Sequence, residues 1–182
     1  MNDKAEKVYA DAFFTLCLEE TPDTLENTLG ELSALDGIFR EQPDFVKLLG
    51  TPTVPMDEKL GMIKDIIADG VSEYTGNLLC VLTERGRMGC FSGIVKNFRA
   101  LYNEHFRIAE ITVTASAPLS ESVRERITAK MSEVTGKTVS IREKVDPSII
   151  GGVVIDYGST RYDGSVRTRL NELKKELGGV IA

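Results

Sequence analysis

Tryptophan is absent from this sequence, and histidine occurs once, at His105. A His-based metal centre needs several ligands at short spacing, so arrangements such as H-E-x-x-H cannot be assembled. A single imidazole can act as a general base. His105, however, continues a run of Phe91, Ile94, Val95, Phe98, Leu101 and Tyr102 at three-to-four spacing, which makes it a packing or partly exposed residue of a long helix. Cysteine is also scarce and odd in number: Cys17, Cys80 and Cys90 form no C-x-x-C pair. The opening Met1-Asn2-Asp3-Lys4 has no signal-peptide or transit character, so these are expected to be reduced thiols. Cys17 and Cys80 lie beside apolar helix positions as small core fillers. Cys90, next to a polar turn, is expected to be the most exposed.

Long apolar runs are missing too. The longest, Ile149-Ile150-Gly151-Gly152-Val153-Val154-Ile155, is strand-sized and far below the ~20 residues a membrane-spanning helix needs. Any membrane association is therefore expected to be indirect, through partners, from a cytoplasm-like compartment. Aromatic residues are 7% of the 182 positions, so the core must rest mainly on Leu, Ile, Val and Ala. Residues 1–105 carry 10 Lys+Arg against 18 Asp+Glu, a net of −8, and residues 106–182 carry 12 against 10, a net of +2. The acidic first part excludes phosphate-backbone binding there, which relies on clustered cations, and no nucleic-acid partner is expected. Solvated helix faces account for the asymmetry.

What is present divides into two periodicities. Residues 4–18 place Ala5, Val8, Tyr9, Ala12, Phe13 and Leu16 on one helical face. Thr21 reads as an N-cap with Pro22 at the first position of a second helix through Leu25, Leu29, Leu32, Leu35 and Phe39. A short piece near Pro43–Leu49 ends at Gly50, Pro52 and Pro55. A fourth helix carries Leu60, Ile63, Ile66 and Ile67, and Ser72 caps a fifth bearing Tyr74, Leu78, Leu79, Val81 and Leu82. After the polar turn Glu84-Arg85-Gly86-Arg87 comes the long helix that ends at His105. Six helices in a row predict a bundle over 1–105.

From Arg107–Ala109 the period becomes two. Ile111, Val113, Ala115 and Ala117 alternate with polar neighbours as a strand. Ser120 starts a helix closed by Gly136, Val139–Val145 is a second strand, and Ile149–Tyr157 a third with a short return at Arg161-Tyr162. Asp163 is expected to cap a last helix with Val166, Leu170, Leu173 and Leu177 as its apolar seam. The expected fold is α+β: an N-terminal six-helix bundle over 1–105, then a small α/β (β-α-β-β-α) domain over 106–182.

Catalytic sets are hard to find. Gly136-Lys137-Thr138 looks like the end of a P-loop, but Met131 stands where the first glycine belongs, and the helix precedes the strand instead of following it. A helix C-cap at Gly136 explains these residues. The carboxylate pairs Glu19-Glu20 and Asp57-Glu58 fall on polar faces or helix starts, where the helix dipole favours anions. No catalytic, metal or cofactor site is expected. Arg167, Arg169, Lys174 and Lys175 make the last helix basic: a solvated face, a contact for an acidic partner helix or, third, an RNA contact.

Two stretches carry a resemblance. Asp146-Pro147-Ser148-Ile149-Ile150-Gly151-Gly152, Gly158, Asp163-Gly164-Ser165-Val166 and Leu170 resemble the C-terminal pattern of the delta subunit of F-type ATP synthases, whose mitochondrial counterpart is the oligomycin-sensitivity-conferring protein. Tyr9-Ala10-Asp11-Ala12-Phe13-Phe14 is similar to its N-terminal Y-A-x-A-L-F, with Phe13 in place of Leu and Cys17 where Ala is common. Asn77-Leu78-Leu79 with Arg87, and Leu48-Leu49 with Pro52 and Lys59, also fit. Read physically, Gly151-Gly152 marks a bulge or close backbone approach, and Asp163 and Ser165 belong to a helix start. The resemblance implies a non-catalytic stator subunit on the cytoplasmic face of a bacterial cell membrane. It would hold the N-terminal helix of an alpha subunit in a groove between the first and fifth helices and meet the peripheral-stalk b subunits with its C-terminal part. Transferred here, the groove residues are Tyr9, Ala12, Phe13, Asn77, Leu78 and Val81. The alternative is a small α+β nucleotide-binding protein or enzyme, suggested by the GKT and GG stretches.

Overall fold

The computed structural model describes residues 2–20, 22–51, 53–68 and 70–180. The expected cap Thr21 and the helix stop Pro52 lie outside the described residues, as do the side chains of Ile66, Ile67 and Leu177. Among the described residues the chain is α+β, with eight α-helices and a four-stranded sheet. It divides into two compact units, Met1–Tyr102 and Asn103–Ala182.

The first unit holds α1 (Asn2–Leu18), α2 (Pro22–Glu41), α3 (Pro43–Gly50), α4 (Met56–Ala68) and α5 (Glu73–Glu84). A 3₁₀ turn, Met88–Cys90, then leads into α6 (Phe91–His105). Their apolar faces meet in one core. Leu25, Leu32, Ile63, Leu79, Leu82, Ile94 and Phe98 are fully buried. Phe98 sits edge-on to Phe14 at 5.5 Å and tilted against Phe13 at 5.6 Å, favourable aromatic geometries. Thus α1 and α6 are joined by a few large rings. The 3₁₀ turn overturns the expectation for Cys90: it rotates Met88 and Cys90 inward, and Cys90 is buried while Cys80 is the half-exposed thiol. His105 is exposed beyond the apolar seam, its ring edge-on to Phe106.

The second unit holds β1 (Ile108–Ala115), α7 (Glu121–Thr135), β2 (Thr138–Val145), β3 (Val153–Tyr157), β4 (Thr160–Asp163) and α8 (Val166–Val180). The sheet order is β2-β1-β3-β4, with β1 and β2 parallel and the remaining pairs antiparallel. The helix α7 provides the crossover that a parallel pair requires. Ile111 and Val113 of β1 pack with Met131 of α7 at its centre. Gly136 caps α7 in the left-handed region, its N–H bonded to Ser132 O, so the GKT stretch is a helix end entering a strand. The short return expected at Arg161-Tyr162 is a strand, β4, which pairs with β3 and completes the sheet.

Gly151-Gly152 is not inside a strand, because β3 begins at Val153. The expected close approach is nonetheless there, because two stretches of backbone touch at this segment. Val166 N–H donates to Gly151 O (2.9 Å) and Gly164 N–H to Val153 O (3.0 Å). Gly152 has φ +77°, and a Cβ there would collide with Gly164 O. Gly152→Ala is therefore expected to combine left-handed strain with a backbone clash, costing about 2–4 kcal/mol. Gly158 has φ +57° but open space around it, so Gly158→Ala is expected to cost only about 1 kcal/mol. Urea melts of the two variants check the contrast.

Each unit has its own buried core, so a fragment of residues 1–105 is expected to melt cooperatively with strong helical circular dichroism. A fragment with little helix and no sigmoidal transition would contradict the division.

Candidate functional site

Tyr9, Ala12, Phe13 and Leu16 recur at three-to-four spacing on α1, and Tyr74, Asn77, Leu78 and Val81 do the same on α5. The two rows line one apolar cavity of ≈ 400 Å³. All six groove residues singled out in the sequence are brought together here. Leu16 and Tyr74 were missed, although each continues its row by one helical turn. The residues differ in depth. Phe13 and Leu78 form the floor, each 7% exposed and part of the core. Ala12, Asn77, Leu16 and Val81 are exposed, and Tyr9 is half-buried. A small residue at Ala12 between larger neighbours leaves room for close backbone approach. A second cavity, lined by Lys4, Ala5, Val8, Tyr9, Ala12 and Arg87, shares Tyr9 and Ala12 with the first, so the strip runs on towards the start of α1.

Both ends of the strip are held by polar contacts. Arg87 donates from Nη1 to Tyr9 Oη (3.4 Å), with its guanidinium 5.6 Å from the ring centroid, within cation–π range. At the other end the Tyr74 hydroxyl is held above its ordinary pKa, first by its hydrogen bond with Glu20, then by burial and by the charges of Glu20, Cys17 and Glu73. The start of α5 is fixed to α2 through Glu31. Its carboxylate accepts from Ser72 N–H (3.1 Å), Ser72 Oγ (2.7 Å) and Thr75 Oγ1 (2.6 Å), while Ser72 Oγ caps Thr75 N–H (3.4 Å). Away from the strip, Lys59 is buried and donates from Nζ to Thr51 O (2.6 Å), beside the end of α3. A cation there suits the negative end of the helix.

The C-terminal motif residues have structural roles that partly correct the sequence reading. Asp163 ends β4 and does not cap α8. Its Oδ1 accepts from Ser165 N–H (2.9 Å) and its Oδ2 from Thr168 Oγ1 (2.9 Å). Ser165, 2% exposed and immediately before α8, is the cap, with Oγ accepting from Thr168 N–H (3.2 Å). The bonds to Ser165 and then Thr168 hold the Asp163 carboxyl below its ordinary value of 3.8. A folded pKa below the unfolded one means that the ionised group stabilises the fold above the unfolded value. This contribution is lost as pH falls through the folded value. Asp163→Asn is accordingly expected to flatten the acid limb of stability, read from urea melts between pH 7 and pH 3.

The seam of α8 is not closed within its unit. Val166, Leu170 and Leu173 are 39%, 51% and 53% exposed, flanked by exposed Arg167, Arg169, Lys174 and Lys175. Among the described residues no group of His, Cys, Asp and Glu is arranged to hold a metal, and no helix is long and apolar enough to cross a membrane.

Residues 5–177 match the family model for the ATP synthase delta (OSCP) subunit. The chain is 34% identical over 170 residues to an ATP synthase subunit delta of Anaeromyxobacter sp. (strain Fw109-5), covering 93% of this chain and 94% of that one. It is 33% identical over 172 residues to a mitochondrial ATP synthase subunit O of Ipomoea batatas, covering 93% and 70%. It is 32% identical over 173 residues to a chloroplastic ATP synthase subunit delta of Emiliania huxleyi, covering 94% and 95%. In fold it is similar to a chain of the Toxoplasma gondii mitochondrial ATP synthase hexamer, with a TM-score of 0.71 at 22% identity over 94% of this chain and 96% of that one.

Proposed function

This chain belongs to the ATP synthase delta (OSCP) subunit family, and on that premise we propose that it holds two partners at once, one with each unit. Membership makes it a non-catalytic stator component of an F-type ATP synthase and a peripheral subunit of a membrane complex. The six-helix N-terminal part acts as a bundle whose groove between α1 and α5 takes the amphipathic N-terminal helix of an alpha subunit on the catalytic head. The C-terminal α/β part meets the b subunits of the peripheral stalk. Held this way, the head cannot turn with the rotor, and ion flow is coupled to ATP synthesis. The complex sits on the cytoplasmic face of a bacterial cell membrane, which this subunit reaches only through its partners.

The observation that carries the reading is the exposed apolar strip centred on Ala12, with Phe13 and Leu78 as its floor. Such a strip suits helix-in-groove recognition, in which side chains at i, i+3, i+4 and i+7 of an incoming helix anchor in an apolar trough. The open, basic-flanked stripe of α8 supports a second helical partner on the other unit. Calorimetric titration with a synthetic alpha-subunit N-terminal peptide is the test. One-to-one binding is expected, while ATP titrated under the same conditions gives no specific heat. Specific ATP binding without peptide binding would favour the nucleotide-protein alternative.

A further inference from the structure

Among the described residues two positions other than glycine have positive φ, Arg107 and Ile150. Ile150 is the outlier of the pair, because a β-branched side chain crowds the backbone in that region. Its φ of +69° and ψ of −42° lie outside the left-handed helical well, near the rare and strained conformation of the γ-turn. The chain holds it there from both sides. Before it, Asp146 Oδ1 locks the 3₁₀ turn Pro147–Ile149 by accepting from Ser148 N–H (2.9 Å), and Ile150 N–H donates to Pro147 O (3.1 Å). After it, Gly151 O accepts from Val166 N–H (2.9 Å), and Gly152 lies against the backbone of Gly164. Ile149 consequently turns inward, 7% exposed, while Ile150 stands 63% exposed, the highest value of any large apolar side chain described.

Within its own unit this placement is unfavourable twice over. A glycine would adopt the same backbone without strain, and a polar side chain would avoid exposing apolar surface to water. Strain that the surroundings enforce collects at functional sites. Next to Ile150 is the open stripe of α8. A Cβ on Gly151 would meet the Val166 side chain at 3.3 Å, and Arg167 donates from Nη1 to Ser148 Oγ (3.3 Å). Leu170 and Leu173 carry the stripe on to roughly 10 Å from Val166 at ~1.5 Å per residue. The helix bears exposed Arg167, Arg169, Lys174 and Lys175 against exposed Glu172, an excess of positive charge that suits an acidic partner. We propose that Ile150 is the apolar anchor of this surface, held out by its strained turn to seat under an acidic amphipathic helix of the peripheral stalk. The inference rests on the reading that the C-terminal unit meets the b subunits, and adds to it the residue on which that contact turns.

The test measures binding of the full-length protein to the soluble part of the b subunits by calorimetry, alongside urea melts of the protein alone. Ile150→Gly removes the side chain and relieves the strain. Ile150→Asn removes the apolar surface but keeps a side chain that tolerates positive φ. Both variants are expected to lose affinity by about tenfold or more, the scale of withdrawing one buried isoleucine. The urea midpoint of Ile150→Gly is expected to be no lower than the parent's. A residue serving only its own fold would not lower affinity while stability holds or rises. A loss below about fivefold in either variant overturns the anchor and leaves the stalk reading standing; if only Ile150→Gly binds weakly, a loosened turn is the cause. A clearly lowered midpoint for Ile150→Gly overturns it too, since the side chain would then be supporting its own unit. A parent protein that fails to bind the b subunits overturns the stalk reading and the anchor with it.

Discussion

Ala12→Glu is expected to lower affinity for the alpha-subunit peptide by about two to three powers of ten while leaving the protein folded. Ala12 is exposed at the middle of the strip, with Tyr9 and Leu16 one turn to either side and Asn77, Leu78 and Val81 across from it. In the free protein a glutamate there extends into water, so the melt should match the parent's. Under a docked helix the same carboxylate loses its water among apolar side chains, with the nearest lining cations, Lys4 and Arg87, towards one end. Burying an unpaired charge costs several kcal/mol, and ~3–4 kcal/mol corresponds to the stated loss. Ala12→Ser adds little volume and should change affinity only a few-fold. Titration calorimetry alongside circular dichroism separates the outcomes. A loss below tenfold for Ala12→Glu places the contact elsewhere, and an unfolded variant would mean that the position packs against the core.

The helical part of the fold was legible because its apolar residues recur at three-to-four spacing on every long helix, from Tyr9, Phe13 and Leu16 to Ile94, Phe98 and Leu101. The groove was harder to read, since the same spacing describes a core face and a docking face. Only depth separates Phe13 and Leu78, which belong to the core, from Ala12 and Val81, which do not. The misreadings have local causes. Cys90 follows a polar turn, which suggests exposure, but the 3₁₀ geometry of Met88–Cys90 turns it inward. Asp163 is a good capping residue by type, but it bonds the N–H of Ser165 two residues on, so the chain turns once more before α8 starts. At Gly151-Gly152 the expected close backbone approach is present, to Gly164 more than ten residues on, but the pair lies before β3 and not within a strand, since that approach comes from a distant stretch of chain. The sequence shows α8 as an apolar seam, but an apolar stripe does not say whose surface it covers, and Val166, Leu170 and Leu173 are open. Its exposure is what turns it from core into a candidate contact for the stalk.

Replacing the full chain with a fragment of residues 1–105 is expected to leave ATP hydrolysis in place and to abolish most of the ion pumping it drives. The groove residues lie within 9–81, so the fragment should bind the alpha peptide about as tightly as the full chain does. No catalytic residue is removed, since the chain is a non-catalytic component of the complex. What is lost is the second attachment. A bridge between head and stalk holds only while both ends are engaged, and the link fails when one end is missing, however tight the other is. An unrestrained head turns with the rotor, so the torque of hydrolysis moves the head instead of working the ion path. The measurement pairs the ATPase rate with a pH-gradient dye signal on the same membrane vesicles. Near-parent hydrolysis with a strongly reduced gradient is the expected result, and it should be reversed by adding the full-length protein. Normal pumping with the fragment would show that the α/β unit and its open α8 stripe are dispensable for coupling. Loss of hydrolysis would point instead to a direct effect of this subunit on the catalytic head.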